Sequence, residues 1–147
     1  MSFCKKIIIR GDGIFMKLKV GFVCTGNSCR SQMAEGFARH YGSDVLEIYS
    51  AGTHPSEKVD ANAIEVMKEA GIDISGQRPK SLDEIPYELD VLIKMGCGIE
   101  CPFVISRHSE DWGLPDPAGH PIDEFRRVRD IIKDKVEALI AKARKTG

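Results

Sequence analysis

The feature that most constrains the fold is a buried strand that runs through a short loop into a helix. Residues 17–24 alternate between charged and apolar side chains and then become continuously apolar, which is typical of a strand buried on both faces. The turn-rich residues Thr25–Ser28 follow. From Ser31, apolar side chains recur every three or four residues until Gly42, a residue type that commonly ends a helix. The sequence therefore predicts a strand, a glycine-containing loop and a helix in succession.

Strand and helix patterns continue to alternate along the chain. Residues 45–51 and 90–95 are predicted strands, and residues 102–105 are a candidate fourth strand. A second helix is predicted between Ala61 and Gly71, and one apolar stripe predicts a last helix that begins at Ile122. This alternation predicts an α/β fold in three layers, with a small parallel sheet of about four strands and helices on both faces.

The chain is predicted to form a single domain, residues 16–147, after an N-terminal extension. Gly11–Gly13 separates the extension from the first core strand, and Met16 would itself make a natural start. Residues 1–15 are therefore expected to be dispensable, either disordered or a product of the choice of start site. The alternative is an extra edge strand formed by residues 5–10.

Composition argues against two classes of partner. The 21 Lys and Arg residues against 22 Asp and Glu residues give a net charge of −1, so no strong positive field is present for nucleic acid. Charged residues break every apolar run well before the ~18 residues of a membrane-spanning helix. Ile7–Ile9 is too short for the apolar stretch of a secretory signal. A cytoplasmic protein is expected, in which five cysteines are more typical of reactive thiols than of structural disulfides.

The loop that joins the first strand and helix has the composition of an oxyanion site. It begins at Cys24 and ends at Arg30. At such a junction, successive main-chain N–H groups can point at one centre, and the helix N-terminus adds positive charge. Arg30 can hold two oxygens of a tetrahedral anion, and the same positive field favours a thiolate at Cys24. The residues predicted to bind the anion are Thr25, Gly26, Asn27, Ser28, Cys29, Arg30 and Ser31.

Residues 23–36, Val-Cys-Thr-Gly-Asn-Ser-Cys-Arg-Ser-Gln-Met-Ala-Glu-Gly, resemble the signature of the thioredoxin-coupled arsenate reductases, which share the low-molecular-weight protein tyrosine phosphatase fold. The likeness runs from Met16 to the end of the last helix. It implies that Cys24 is the nucleophile and that Ser31 helps to stabilise its thiolate. Three further segments carry the same likeness: Ser50–Thr53, Met95–Pro102 and Trp112–Ala118.

Asp116 is the candidate proton donor for an oxygen that leaves phosphorus or arsenic. Pro115 and Pro117 fix its backbone, and Trp112 is close in sequence. Turn statistics alone would make Asp116 a turn-forming residue. The family resemblance instead implies a general acid.

The residues after Asp116 help to distinguish reduction of arsenate from hydrolysis of phosphomonoesters. Ala118 and Gly119 stand where tyrosine phosphatases of this fold usually carry aromatic residues that stack on the substrate ring. Arsenate is very similar to phosphate in shape and charge, but thiols can reduce arsenic(V) and cannot reduce phosphorus(V). Reduction of arsenate is therefore predicted, with phosphate or sulfate as mimics. The alternatives are a phosphatase that forms a cysteinyl-phosphate and a non-catalytic oxyanion-binding protein.

Cys97 and Cys101 are the candidate thiols for the rest of the reaction. Residues four apart on a helix have Cβ atoms about 5–6 Å apart, so this pair can form a disulfide with modest rearrangement. Arsenate would join Cys24, Cys97 would attack Cys24 and release arsenite, and Cys101 would attack Cys97 and pass the disulfide to thioredoxin. Half of a zinc site with His108 is the alternative, but no second ligand pair has suitable spacing. No metal or cofactor is predicted. Cys29 is expected to support the loop rather than to react.

Overall fold

A computed structural model describes residues 6–10, 13–96 and 104–145 of the 147-residue chain. Cys97 and Cys101, the two candidate relay thiols, lie outside the described residues. In chain order the described elements are β1 (Lys6–Arg10), β2 (Gly13–Cys24), α1 (Arg30–Gly42), β3 (Leu46–Gly52), α2 (Ala61–Glu69), a 3₁₀ helix (Leu82–Glu84), β4 (Glu88–Lys94), β5 (Ile105–Asp111) and α3 (Ile122–Lys145).

Strand β2 lies at the centre of the sheet. Its second half pairs in parallel with β3 on one side and β4 on the other, and β4 pairs in parallel with β5, which gives the order β3-β2-β4-β5. The central place of β2 explains its apolar sequence, because Leu18, Val20, Phe22 and Val23 are fully buried. The predicted fold class, an α/β fold with a parallel sheet of four strands, is confirmed.

The first strand extends the sheet in the opposite direction. Residues Lys6–Arg10 pair antiparallel with Gly13–Lys17, at the start of β2. The strand that was the alternative for residues 5–10 is therefore present at Lys6–Arg10. The dispensability of residues 1–15 stays a prediction.

The fourth parallel strand does not begin where the apolar run predicts. It spans Ile105–Asp111, whereas the prediction was residues 102–105. Along β5, exposed and half-buried residues alternate, since this strand pairs with β4 on one side and lies at the edge of the parallel sheet. An alternating polar strand has no continuous apolar run, so the search for such a run found only its first residue.

The topology places one end of β2 where a ligand site is expected. The chain leaves β2 toward β3 through α1 and returns to β4 on the other side of β2. In open α/β sheets, ligands bind beyond the carboxyl ends of the strands at such a reversal of strand order. Helix α1 packs against β2, β3 and α3, and α3 also packs against α2. Within the described residues, no helix combines the length and the apolar composition that crossing a membrane requires.

Candidate active site

A pocket with a volume of about 240 Å³ opens at the carboxyl end of β2. Most of the residues predicted from the loop and Asp116 lie around it, while Asn27 and Ser31 are fully buried and absent from its lining. His54 and Ser56 also line the pocket, and the sequence patterns did not single them out. The lining residues are Cys24, Thr25, Gly26, Ser28, Cys29, Arg30, His54, Ser56, Asp116 and Ala118.

The thiol of Cys24 has two hydrogen-bonding neighbours. Its Sγ accepts the main-chain N–H of Asn27 at 3.2 Å and lies 2.8 Å from the Oγ of Ser31. The Ser31 Oγ itself accepts the Asn27 side-chain amide at 2.7 Å, which leaves the hydroxyl proton of Ser31 for the sulfur. Both neighbours therefore present a hydrogen to the Cys24 sulfur.

Asn27 connects this pair to the body of the protein. The main-chain N–H of Lys80 can only donate, so the Asn27 atom that it meets at 2.8 Å is the oxygen Oδ1. The amide nitrogen then donates to Ser31 and, at 3.1 Å, to Ser50. Asn27 has φ of +50°, in the left-handed region that asparagine tolerates better than most residues.

Two glutamines fix the back of the loop. The side-chain amide of the buried Gln32 lies 3.0 Å from both the main-chain and the side-chain oxygen of Asn27 and 2.9 Å from the carbonyl oxygen of Arg78. The amide of Gln77 donates to Gln32 Oε1 at 2.7 Å. Segment 77–80 thus contacts the loop and the first turn of α1 through partly buried hydrogen bonds.

Glu35 ends this hydrogen-bonded network as a buried carboxylate. It is 4% exposed and accepts the hydroxyl of Ser50. Two cations neutralise it, Arg39 at 2.9 Å and the Nζ of Lys80 at 3.4 Å. A buried carboxylate requires such partners, because burial disfavours the charged form.

Main-chain contacts orient the peptide groups of the loop. The N–H groups of Thr53, His54, Ser56 and Asp60 donate to the carbonyl oxygens of residues 24, 25, 26 and 28, at 3.2, 2.8, 2.9 and 3.0 Å. The N–H and C=O of one trans peptide unit point in opposite directions, so the N–H groups of residues 25, 26, 27 and 29 face away from segment 53–60. One of them, the Asn27 N–H, reaches the Cys24 sulfur.

Gly52 permits the close approach of β3 to the loop. A Cβ atom at this position would lie 2.6 Å from the carbonyl oxygen of Thr25 and 2.9 Å from the main-chain nitrogen of Asn27. Both are backbone atoms, which cannot move without displacing the loop. A residue larger than glycine is therefore incompatible with this arrangement.

Arg30 and Asp116 meet at the side of the pocket. The guanidinium of Arg30, a residue only 2% exposed, donates from Nη1 to the carbonyl oxygens of Met95 at 3.3 Å and Leu114 at 3.0 Å. Its Nη2 lies 3.7 Å from the Asp116 carboxylate. Asp116 is exposed, and its other oxygen accepts the N–H of Ala118 at 3.0 Å. The two carbonyl groups thus hold a planar cation at the pocket, next to the Asp116 carboxyl group.

Cys29 differs chemically from Cys24. It is 2% exposed, and burial raises its pKa to about 12. Cys29 is therefore a neutral thiol near neutral pH, which suits a packing role at the start of α1.

No group of three His, Cys, Asp or Glu residues in the described part of the chain could hold a metal ion. His108 lies 2.9 Å from Glu110. The zinc alternative also involved Cys97 and Cys101, so it stays untested.

The chain is similar in sequence and fold to known arsenate reductases. The glutaredoxin arsenate reductase of Synechocystis sp. is 46% identical over 128 residues, which cover 84% of this chain and 97% of the relative. An arsenate reductase of Staphylococcus aureus is 44% identical over 125 residues, or 82% of this chain and 95% of the relative. A solved arsenate reductase in its phosphate-binding state has a TM-score of 0.80 and 45% identity, covering 86% of this chain and 98% of the other.

The resemblance found in the loop and the three further motifs is thereby confirmed for arsenate reductases of this fold. The family described as low molecular weight phosphotyrosine protein phosphatase matches residues 19–147. This chain therefore belongs to the low molecular weight phosphotyrosine protein phosphatase family.

Proposed function

We propose that the protein reduces arsenate to arsenite in the cytoplasm through a relay of thiols that begins at Cys24. The observation that carries the proposal is the pocket itself. A thiol with two hydrogen-bonding neighbours lies under inward-facing N–H groups, and Arg30 and Asp116 stand at its side. The arsenate reductases that are 44–46% identical to the chain support the same reaction.

In the first step the Cys24 thiolate attacks arsenic. A sulfur–arsenic bond forms, and one arsenic–oxygen bond breaks. The departing hydroxyl group leaves as water with a proton from Asp116. The N–H groups of the loop and the fork of Arg30 hold the remaining oxygens, where negative charge develops in the transition state.

The later steps use the two cysteines that the sequence singles out. The Cys97 thiolate attacks the Cys24 sulfur, a disulfide forms, and the electron pair of the sulfur–arsenic bond stays on arsenic, which leaves as arsenite. The Cys101 thiolate then attacks Cys97 and releases the Cys24 thiolate. Two thiols have supplied two electrons, and the Cys97–Cys101 disulfide must be reduced by an external dithiol.

Thioredoxin is the proposed reductant. The family resemblance implies it, and a compact Cys-x₃-Cys pair is suited to exporting a disulfide. The relative from Synechocystis sp. is named for glutaredoxin, so glutaredoxin with glutathione is the alternative to be compared.

Hydrolysis of phosphomonoesters is the second candidate, since it would use the same loop, arginine and acid. The wall of the pocket favours a small inorganic anion instead. The described lining residues include no phenylalanine, tyrosine or tryptophan that could stack on an aryl group.

One purified preparation tests both candidates. We expect arsenate-dependent oxidation of NADPH with thioredoxin and thioredoxin reductase, and little hydrolysis of p-nitrophenyl phosphate. Efficient hydrolysis beside negligible reduction by either thioredoxin or glutaredoxin would favour the phosphatase.

The order of the thiols is tested by C101S. This variant should release about one arsenite per protein and then stop, with Cys24 and Cys97 joined in a disulfide that mass spectrometry detects. The matched variant C4S, outside the family match, should turn over normally. Full steady-state activity of C101S would exclude the relay.

A further inference from the structure

The pocket receives more negative charge than its one arginine offsets. Arsenate at neutral pH carries one to two negative charges and the Cys24 thiolate carries another, while Asp116, as the proposed proton donor, enters the step uncharged. Among the described residues that line the pocket, Arg30 and His54 are the ones with side-chain N–H groups. The Arg30 guanidinium lies beside Asp116, whereas His54 belongs to segment 53–60.

The backbone places His54 directly against the loop. Its main-chain N–H donates to the carbonyl oxygen of Thr25 at 2.8 Å. Two residues on, Ser56 makes the same type of bond to Gly26, where a Cβ atom would lie only 2.8 Å from the Ser56 hydroxyl oxygen. The segment that carries His54 therefore touches the residues predicted to bind the anion.

The side chain of His54 is exposed at the pocket and has a single described hydrogen-bonding neighbour. Its Nδ1 lies 3.3 Å from the hydroxyl oxygen of Thr53. When this hydroxyl donates to Nδ1, the proton of a neutral imidazole resides on Nε2. Nε2 is then the N–H donor of a side chain that lines the pocket.

We propose that His54 is a substrate-binding residue that donates its imidazole N–H to an oxygen of the bound inorganic oxyanion. This inference rests on the proposed function for the identity of the substrate, and it assigns the wall of the pocket a part in recognising it. His54 takes no part in bond making. Its loss should weaken binding of arsenate and of phosphate equally and leave the chemical step nearly unchanged.

The variants H54A and H54Q test the assignment. We expect H54A to raise the KM for arsenate and the calorimetric Kd for inorganic phosphate by about tenfold, the size of one charge-assisted hydrogen bond, with kcat within about twofold of the wild type. Glutamine keeps a neutral N–H donor, so H54Q should recover part of the affinity. The matched variant H40A, at an exposed histidine of α1 outside the pocket, should bind phosphate like the wild type.

Alkylation of Cys24 by iodoacetamide separates binding from a structural effect. The reagent is neutral, so H54A should be alkylated at the wild-type rate if the loop is intact. An unchanged phosphate Kd in H54A, or a changed alkylation rate that accounts for the loss, would overturn the assignment. Phosphate binding needs no reductase chemistry, so a wild-type protein that binds phosphate but fails to reduce arsenate would refute the proposed function while His54 is still tested.

Discussion

The pocket has a floor of buried residues and a wall of exposed ones, and the two are built by different means. The floor is Arg30 together with Asn27, Ser31 and Gln32, which lie behind the residues that line the pocket. On the floor, Asn27, Ser31 and Gln32 are fully buried and have hydrogen-bond partners. On the wall, His54, Ser56, Asp116 and Ala118 are exposed and belong to two irregular segments that main-chain bonds hold in place.

This difference assigns two tasks to two parts of the site. Buried polar networks are costly to disturb, since each lost partner leaves an unsatisfied group. The floor therefore fixes the position of Cys24, the proposed nucleophile. Exposed side chains can change at small cost in stability, so the wall is where the choice of ligand can be adjusted. Changes at the floor should alter kcat, and changes at the wall should alter KM.

Arg30→Lys should have the largest effect of the floor variants. Lysine cannot contact both the Met95 and Leu114 carbonyl groups and also present a planar fork to the anion. We expect kcat/KM for arsenate to fall by about 10²–10³-fold, as for the loss of one oxyanion contact. Arg107→Lys, at an exposed arginine on β5, is the matched control. A loss below tenfold for Arg30→Lys would mean that charge alone suffices at the floor.

Asn27→Ala should reduce kcat by about 10–100-fold, because Ser31 and Ser50 lose their shared donor and Lys80 loses its acceptor. Asn27→Gly separates this effect from backbone strain, since glycine adopts φ of +50° without cost. Both variants should show slower alkylation of Cys24 at neutral pH. If Asn27→Gly kept the wild-type kcat, the side-chain hydrogen bonds of Asn27 would be unnecessary for turnover and only its backbone conformation would matter.

Lys80→Met should act more weakly, because the main-chain N–H that holds Asn27 remains. The variant removes one of the two cations beside the buried Glu35. We expect the free energy of unfolding to fall by about 1–3 kcal/mol in urea titrations. Added to Glu35→Gln, the same substitution should cost much less. Additive effects in this double-mutant cycle would contradict a shared network.

Cys29→Ala should have the smallest effect, with kcat/KM within about twofold near pH 7. The raised pKa keeps this thiol neutral in the folded protein, while the unfolded chain ionises near 9.0. The folded state binds this proton more tightly than the unfolded chain does. The contribution of Cys29 to the free energy of unfolding is therefore fully present below pH 9 and is lost as the pH rises toward 12. The free energy of unfolding, measured from pH 8 to 10.5, should therefore fall more steeply with pH in the wild type than in Cys29→Ala. Equal slopes would contradict the burial effect.

The sequence could locate the parts of the site that are local in the chain. Cys24 and Arg30 are six positions apart at a strand-to-helix junction, and one loop brings them to one pocket. Asp116 joins them because β5 is parallel to β2, so the segments after both strands lie at the same edge of the sheet.

The supports of the loop could not be predicted in this way. Gln77 contacts Gln32 of α1 across 45 residues of chain, and Lys80 contacts Asn27 of the loop across 53, both from a segment without periodic structure. Nothing in their spacing marks them, because their contacts depend on how β3 and the following segment pack. His54 and Ser56 were missed for a related reason, since they act on the loop through backbone atoms that any residue except proline supplies.

Segment 53–60 holds the loop through main-chain hydrogen bonds, which constrain the sequence of this segment very little. Main-chain hydrogen bonds form with nearly any amino acid, so the side chains at positions 54 and 56 can be replaced without loss of the bonds that hold the loop. A library of variants at these two positions should yield proteins with altered anion specificity. Each should still fold with Cys24 in the same surroundings.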